Sequence, residues 1–296
     1  MNSRPGRSVL HGPPYVYKMT QSLTQQQPTE TVEATQNRIT SLFSQKSERL
    51  LNVYFTAGYP TLNDTTTVLR GLQAAGVDIV EIGMPYSDPV ADGETIQQSN
   101  GVALDNGMSI KTLFAQLAGC RTDAENPITV PILLMGYINP VLQFGVENFC
   151  QKCQEVGVDG VILPDLPLDL FLEEYAPTFR KYGILNVHLI TPQTTDARIR
   201  FIDAESDGFI YMVSSASITG SVKGVSDTMK AYFERIQGMN LRNPRLIGFG
   251  INNHETFDTA CAFANGAIVG SAFIRHLSEK GTSSESIRSF VETIRS

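Results

Sequence analysis

Glu81 and Asp92, eleven positions apart in the stretch EIGMPYSDPVADGETIQ (residues 81–97), are the residues best placed to do chemistry. The first follows an apolar, β-branched run at 77–80. The second falls in a loop that Gly83, Pro85, Pro89 and Gly93 keep out of regular structure. A carboxyl closing a buried strand and another in the next loop can take opposite protonation roles in one pocket, one as acid and one as ionised acceptor. A strand-end glutamate in isolation reads more readily as a salt-bridge partner. At the mouth of a barrel, with a second acid close by, the catalytic reading gains the advantage. Burial would raise the Glu81 pKa or require a partner.

The elements that must position these acids repeat along the chain. Apolar runs at 51–56, 77–82, 130–135, 158–163, 184–190, 208–213, 245–250 and 267–270 read as strands. Segments with helical spacing lie between or after them, at 65–75, 110–117, 146–156, 168–182, 228–236, 255–264 and 284–294. Eight strand–helix alternations over about 250 residues predict an α/β fold, a single (β/α)₈ TIM barrel. An open doubly wound sheet is the competitor, but the first strand runs into Ala57-Gly58-Tyr59-Pro60 rather than a glycine-rich dinucleotide turn. Residues 38–44, with Ile39, Leu42 and Phe43 at helical spacing, predict an N-terminal helix covering the barrel floor. Residues 1–34, rich in Pro, Gln, Thr and Ser, read as a disordered leader, leaving 35–296 as the catalytic domain.

In such barrels chemistry sits at the C-terminal strand ends. The sixth strand leads into Ser214–Gly220, small and hydroxyl-bearing, a candidate lid or an unremarkable loop. Gly248 and Gly250 after strand 7, and Gly270 with Ser271 after strand 8, predict a phosphate site in which backbone amides approach the anion. No lysine lies in any apolar run, which removes a Schiff-base aldolase. Of His11, His188, His254 and His276 only His188 falls in a strand, so converging metal ligands are missing. Cys150 and Cys153 form a Cys-x-x-Cys within a helical pattern and read as buried packing. A formal charge of −7 argues against nucleic acid or an anionic membrane as partner, and no apolar stretch is long enough to span a bilayer. What remains is acid–base work by carboxylates on a phosphorylated small molecule.

Residues 81–97, together with Tyr54–Pro60, Tyr137 and Asn139, residues 156–160 and 164–167, Ser214–Gly220, residues 248–250 and Gly270-Ser271, resemble the tryptophan synthase α-subunit family over residues 36–296. The resemblance implies retro-aldol cleavage of indole-3-glycerol phosphate to indole and glyceraldehyde 3-phosphate. It makes Glu81 the general acid and Asp92 the ionised group accepting the indole N–H, with Tyr211 reaching into the same pocket. Gly220, Gly250, Gly270 and Ser271 would hold the phosphate; Tyr54, Tyr137, Ile162 and Phe249 would flank the indole; Thr219 would belong to the lid. No cofactor is implied for this chain. The implied partner is a β subunit carrying pyridoxal phosphate, in a cytoplasmic α2β2 heterotetramer, with a plastid location the lesser alternative. Departures from the family pattern are the serines at 215 and 217, where a basic residue or glycine is common, and Glu94 in place of a proline. The alternatives are a stand-alone indole-releasing lyase, a non-catalytic phosphate-binding barrel, and another phosphosugar isomerase or epimerase. The last lacks the loop at 85–93.

Overall fold

The computed structural model describes residues 36–213, 227–248 and 250–296. Strands β1 (Leu50–Thr56), β2 (Ile79–Gly83), β3 (Ile132–Met135) and β4 (Gly160–Ile162) are followed by β5, in two short pieces (Leu185–Asn186 and Leu189–Ile190). Then come β6 (Ile210–Val213), β7 (Arg245–Gly248) and β8 (Gly266–Val269). Every ladder is parallel. The first piece of β5 pairs with β4 and the second with β6, so this one strand closes the ring. Eight strand positions in a closed parallel sheet are the (β/α)₈ barrel expected from the sequence.

Strands buried on both faces explain why these runs are almost continuously apolar. Side chains alternate between two cores. Leu50, Ile79, Leu133, Ile162, Leu185, Val187, Phe209, Leu246 and Ile268 fill the barrel interior. Their neighbours point outward to a second layer under the helices. The N-terminal helix Arg38–Gln45 starts at an Asn37–Thr40 capping box and drives Ile39 fully into the interior cluster. Leu42 and Phe43 complete the floor, Phe43 packing 5.7 Å from the Phe209 ring.

The structure refines two expectations. Glu81 lies inside β2, two residues short of its end, rather than closing it. The segment at 168–182 is three pieces: Leu168–Leu170, a wide turn of π-helix at Phe171–Tyr175, and Ala176–Lys181. Pro177 explains the break, since it has no N–H and its ring would clash with the carbonyl one turn back. No described helix is long and apolar enough to cross a membrane.

Candidate active site

Residues 50, 52 and 54 of β1 share the face of β2 carrying 79, 81 and 83, because strand side chains alternate with period two. Leu50 and Ile79 belong to the interior core, so Asn52, Tyr54 and Glu81 also face inward, one or two rungs higher. Glu81 is fully buried and lies opposite Tyr54 in register. Its Oε2 accepts a 2.9 Å hydrogen bond from Asn52 Nδ2. Burial pushes the Glu81 carboxyl up to about 8; the Asn52 bond works against this, and the nearby Asp92 charge adds to it.

Asp92, in the loop before helix Glu94–Asp105, is half-buried. Tyr137, at the N-cap of helix Ile138–Phe144, donates its hydroxyl to Asp92 Oδ2 at 3.2 Å and accepts the Ala91 N–H at 2.9 Å. Burial raises Asp92 to about 6, and the Tyr137 hydrogen bond restrains the rise. Burial thus raises both acids, and Glu81 holds its proton more tightly than Asp92.

Both carboxyls act on the same two phenols. Tyr54 and Tyr211 are pushed well above the ordinary tyrosine range, first by burial and then by the charges of Asp92 and Glu81. Each phenol leans over a glycine two residues beyond its register partner on the neighbouring strand. A β-carbon at Gly83 would overlap Tyr54, and one at Gly248 would lie 2.5 Å from the Tyr211 hydroxyl. The Tyr54 hydroxyl also meets Thr56 Oγ1 at 3.3 Å, and Thr56 meets Ser99 at 2.7 Å. Ile162 lies in register with Met135, which pairs with Gly83, so it stands at the upper rung of the interior.

Gly270 caps helix Ser271–Lys280, and its α-carbon approaches the same mouth: a β-carbon there would lie 3.6 Å from the Tyr54 ring. The N–H groups of Phe273 and Ile274 bond back to the Gly270 carbonyl. Those of Ser271 and Ala272, at the start of the helix, have no intrahelical acceptor and suit an anion. Gly250 has a φ of +31° and open space where a side chain would stand. The predicted positions Thr219, Gly220 and Phe249, with the lid segment from Ser214, lie outside the described residues. Asn52, Thr56 and Ser99 are polar site residues that the sequence reading missed. The signal for Asn52 was available, as an amide within the otherwise apolar start of β1.

Elsewhere, Cys150 and Cys153 are buried in helix Val146–Val156 with thiols raised by burial, unlike reactive thiolates. His188 packs edge-on against Phe171, and burial lowers it to about 4. No cluster of metal-binding side chains occurs among the described residues.

A closed parallel barrel with a buried glutamate in its interior and a half-buried aspartate in the loop after the same strand defines a protein of the (β/α)₈ class. A family model described as tryptophan synthase alpha chain matches residues 41–295, and the chain belongs to that family. Its members are lyases that cleave indole-3-glycerol phosphate. The tryptophan synthase alpha chain of Flavobacterium johnsoniae is 55% identical over 259 residues, covering 88% of this chain and all of the relative. The solved α subunit of Legionella pneumophila str. Paris superposes with a TM-score of 0.77 at 29% identity, covering 88% of this chain and 97% of that one. M. tuberculosis tryptophan synthase in an aminoacrylate-bound form gives 0.75 at 25% identity, covering 88% and 98%.

Proposed function

We propose that this chain cleaves indole-3-glycerol phosphate by passing one proton out of Glu81 and back again. Glu81 protonates indole C3 and becomes a carboxylate, while the ring becomes an indoleninium electron sink. Asp92, ionised, accepts the N–H hydrogen bond and stabilises the positive charge growing on that nitrogen. The Glu81 carboxylate then removes the proton from the hydroxyl next to the ring. That C–O becomes the aldehyde carbonyl, and the electron pair of the breaking carbon–carbon bond returns to the indole. Indole and glyceraldehyde 3-phosphate leave, and Glu81 is again protonated. Tyr211 and Tyr54 position the ring, with Tyr137 and Ile162 on its flanks, and the Gly270–Ser271 helix start receives the phosphate with Gly250 beside it.

The observation that carries this reading is a fully buried Glu81 opposite Tyr54, with the half-buried Asp92 held by Tyr137 and both carboxyls raised by burial, Glu81 to the higher value. The chain itself carries no cofactor in this scheme. Its partner is a β subunit of an α2β2 tryptophan synthase, which binds pyridoxal phosphate and joins the indole to serine; the assembly works in the cytoplasm. The named M. tuberculosis enzyme supports the partner. The test is indole formation from indole-3-glycerol phosphate at increasing β-subunit concentration. Cleavage stimulated by the β subunit is expected. Strong turnover indifferent to it would make the chain a stand-alone lyase, and no indole under any condition would refute the activity.

A further inference from the structure

Asn52 is fully buried in the otherwise apolar start of β1, and on Glu81 it is the only hydrogen-bond donor among the described residues. An amide there is costly, since a buried polar atom left unpaired gives up its hydration with nothing in return. Yet two atoms of this pair are left so: Asn52 Oδ1 and Glu81 Oε1 have no hydrogen-bond partner among the described residues. The pairing is diagonal. Asn52 stands opposite Ile79, and its side chain reaches the acid two residues further along β2. Tyr54 uses the same offset to reach Gly83, so the geometry belongs to the stagger of the barrel.

We propose that Asn52 is a positioning residue that gives the two oxygens of Glu81 different tasks: Oε2 is held by the amide as an acceptor, and Oε1 carries the proton that goes to the substrate. The inference rests on the proposed cleavage and deepens it. A neutral carboxylic acid has one donor oxygen and one acceptor oxygen. An N–H fixed on Oε2 makes that atom the carbonyl-like one and leaves the proton on Oε1. When Oε1 loses its proton, the same N–H continues to stabilise the charge shared with Oε2. Ionisation then costs less than it would in an apolar pocket, and the carboxylate persists long enough to act as base. The titratable groups facing Glu81 are Tyr54 on β1, Tyr211 on β6 and Asp92 in the loop over the mouth. All are neutral or acidic, so no described cation substitutes for the amide.

Two variants test this. Asn52→Val and Asn52→Leu each remove the amide, the second with little change of volume. Both should move the basic limb of kcat/KM upward by about one pH unit and lower kcat about tenfold, with KM little changed. The protonated carboxyl band in infrared difference spectra, assigned by its loss in Glu81→Gln, should titrate at higher pH in parallel. A residue that merely filled space would leave the limb and the band in place in Asn52→Leu, which nearly keeps its volume. That result would overturn the inference, as would a rise in KM alone. If Asn52→Val does not fold, Asn52→Leu decides by itself. The cleavage reading fails separately, through native enzyme that releases no indole or a Glu81→Gln enzyme that turns over normally.

Discussion

A carboxylic acid inside a barrel is a destabilising choice unless its proton is put to use. Glu81 has a folded pKa near 8 against an ordinary value of 4.5, so between those limits the native state binds a proton that the unfolded chain has released. Stability therefore falls as pH rises from 4.5 to 8 and is level above. Glu81→Gln should remove that slope and, at pH 8, stabilise the fold by about 0.5–2 kcal/mol, the size a single stabilising substitution commonly gives. Thermal unfolding at pH 5 and pH 8 would show it, and a variant no more stable than native at pH 8 would contradict the raised pKa. The same substitution should abolish cleavage while binding of a non-cleavable indole phosphate persists; loss of binding alongside turnover would make Glu81 structural. Activity needs Asp92 ionised and Glu81 protonated, so kcat/KM should form a bell with limbs near 6 and 8. Asp92→Asn should cost about 10²–10⁴-fold in rate and erase the acidic limb. A native rate in that variant would remove Asp92 from the mechanism.

Elements place these residues through contacts that tolerate no extra atoms. Gly83→Ala would force a methyl into the Tyr54 phenol, for a loss of about 1–3 kcal/mol and a lower kcat as the ring shifts. Gly101→Ala, on the helix over the same mouth but with open space around it, should be neutral or gain about 0.5–1 kcal/mol of helix propensity. Urea unfolding of the pair separates crowding from backbone entropy, and equal effects would discount the Tyr54 contact. The strands could be read from sequence because burial on both faces left each as a nearly continuous apolar run. Helix Glu94–Asp105 could not: it buries only Ser99, Asn100 and Ala103, so no apolar stripe marks it. Helix Ile138–Phe144 was hidden by Pro140, harmless in a first turn where its missing N–H has no bond to make. Glu81 and Asp92 stood out because acids among apolar and turn residues need a reason. The bond between Tyr137 and Asp92 joins positions 45 apart, and only the closed barrel brings them together.

The molecule divides its work between the two ends of the barrel, as (β/α)₈ enzymes do. Opposite the acids, the floor is tied by Asp159, whose side chain is 1% exposed. Its carboxylate meets Arg38 of the N-terminal helix at 2.9 Å and Arg121 at 3.0 Å, and accepts the Ile132 N–H of β3 at 2.9 Å. Its backbone carbonyl accepts from Asn37 at 2.7 Å and from Leu185 at the start of β5 at 3.1 Å. One residue thus holds the bottom helix, β3, β4 and β5 together. Arg121 spends its remaining donors on the carbonyls of Gly157, Ile128 and Val130, which keeps a mostly buried guanidinium hydrogen-bonded. Asp159→Ala removes the only carboxylate from that cluster and strands the Arg121 charge in a poorly solvated site. The loss should be about 3–5 kcal/mol, the range for breaking a buried ion pair from one side. Because the floor is separated from Glu81 and Asp92 by the interior apolar core, kcat per folded molecule should stay at its native value. Urea midpoints combined with kcat measured well below the unfolding transition test both halves. A kcat that fell with the midpoint would show the floor coupled to the chemistry, and the two ends of the barrel would then not be separable.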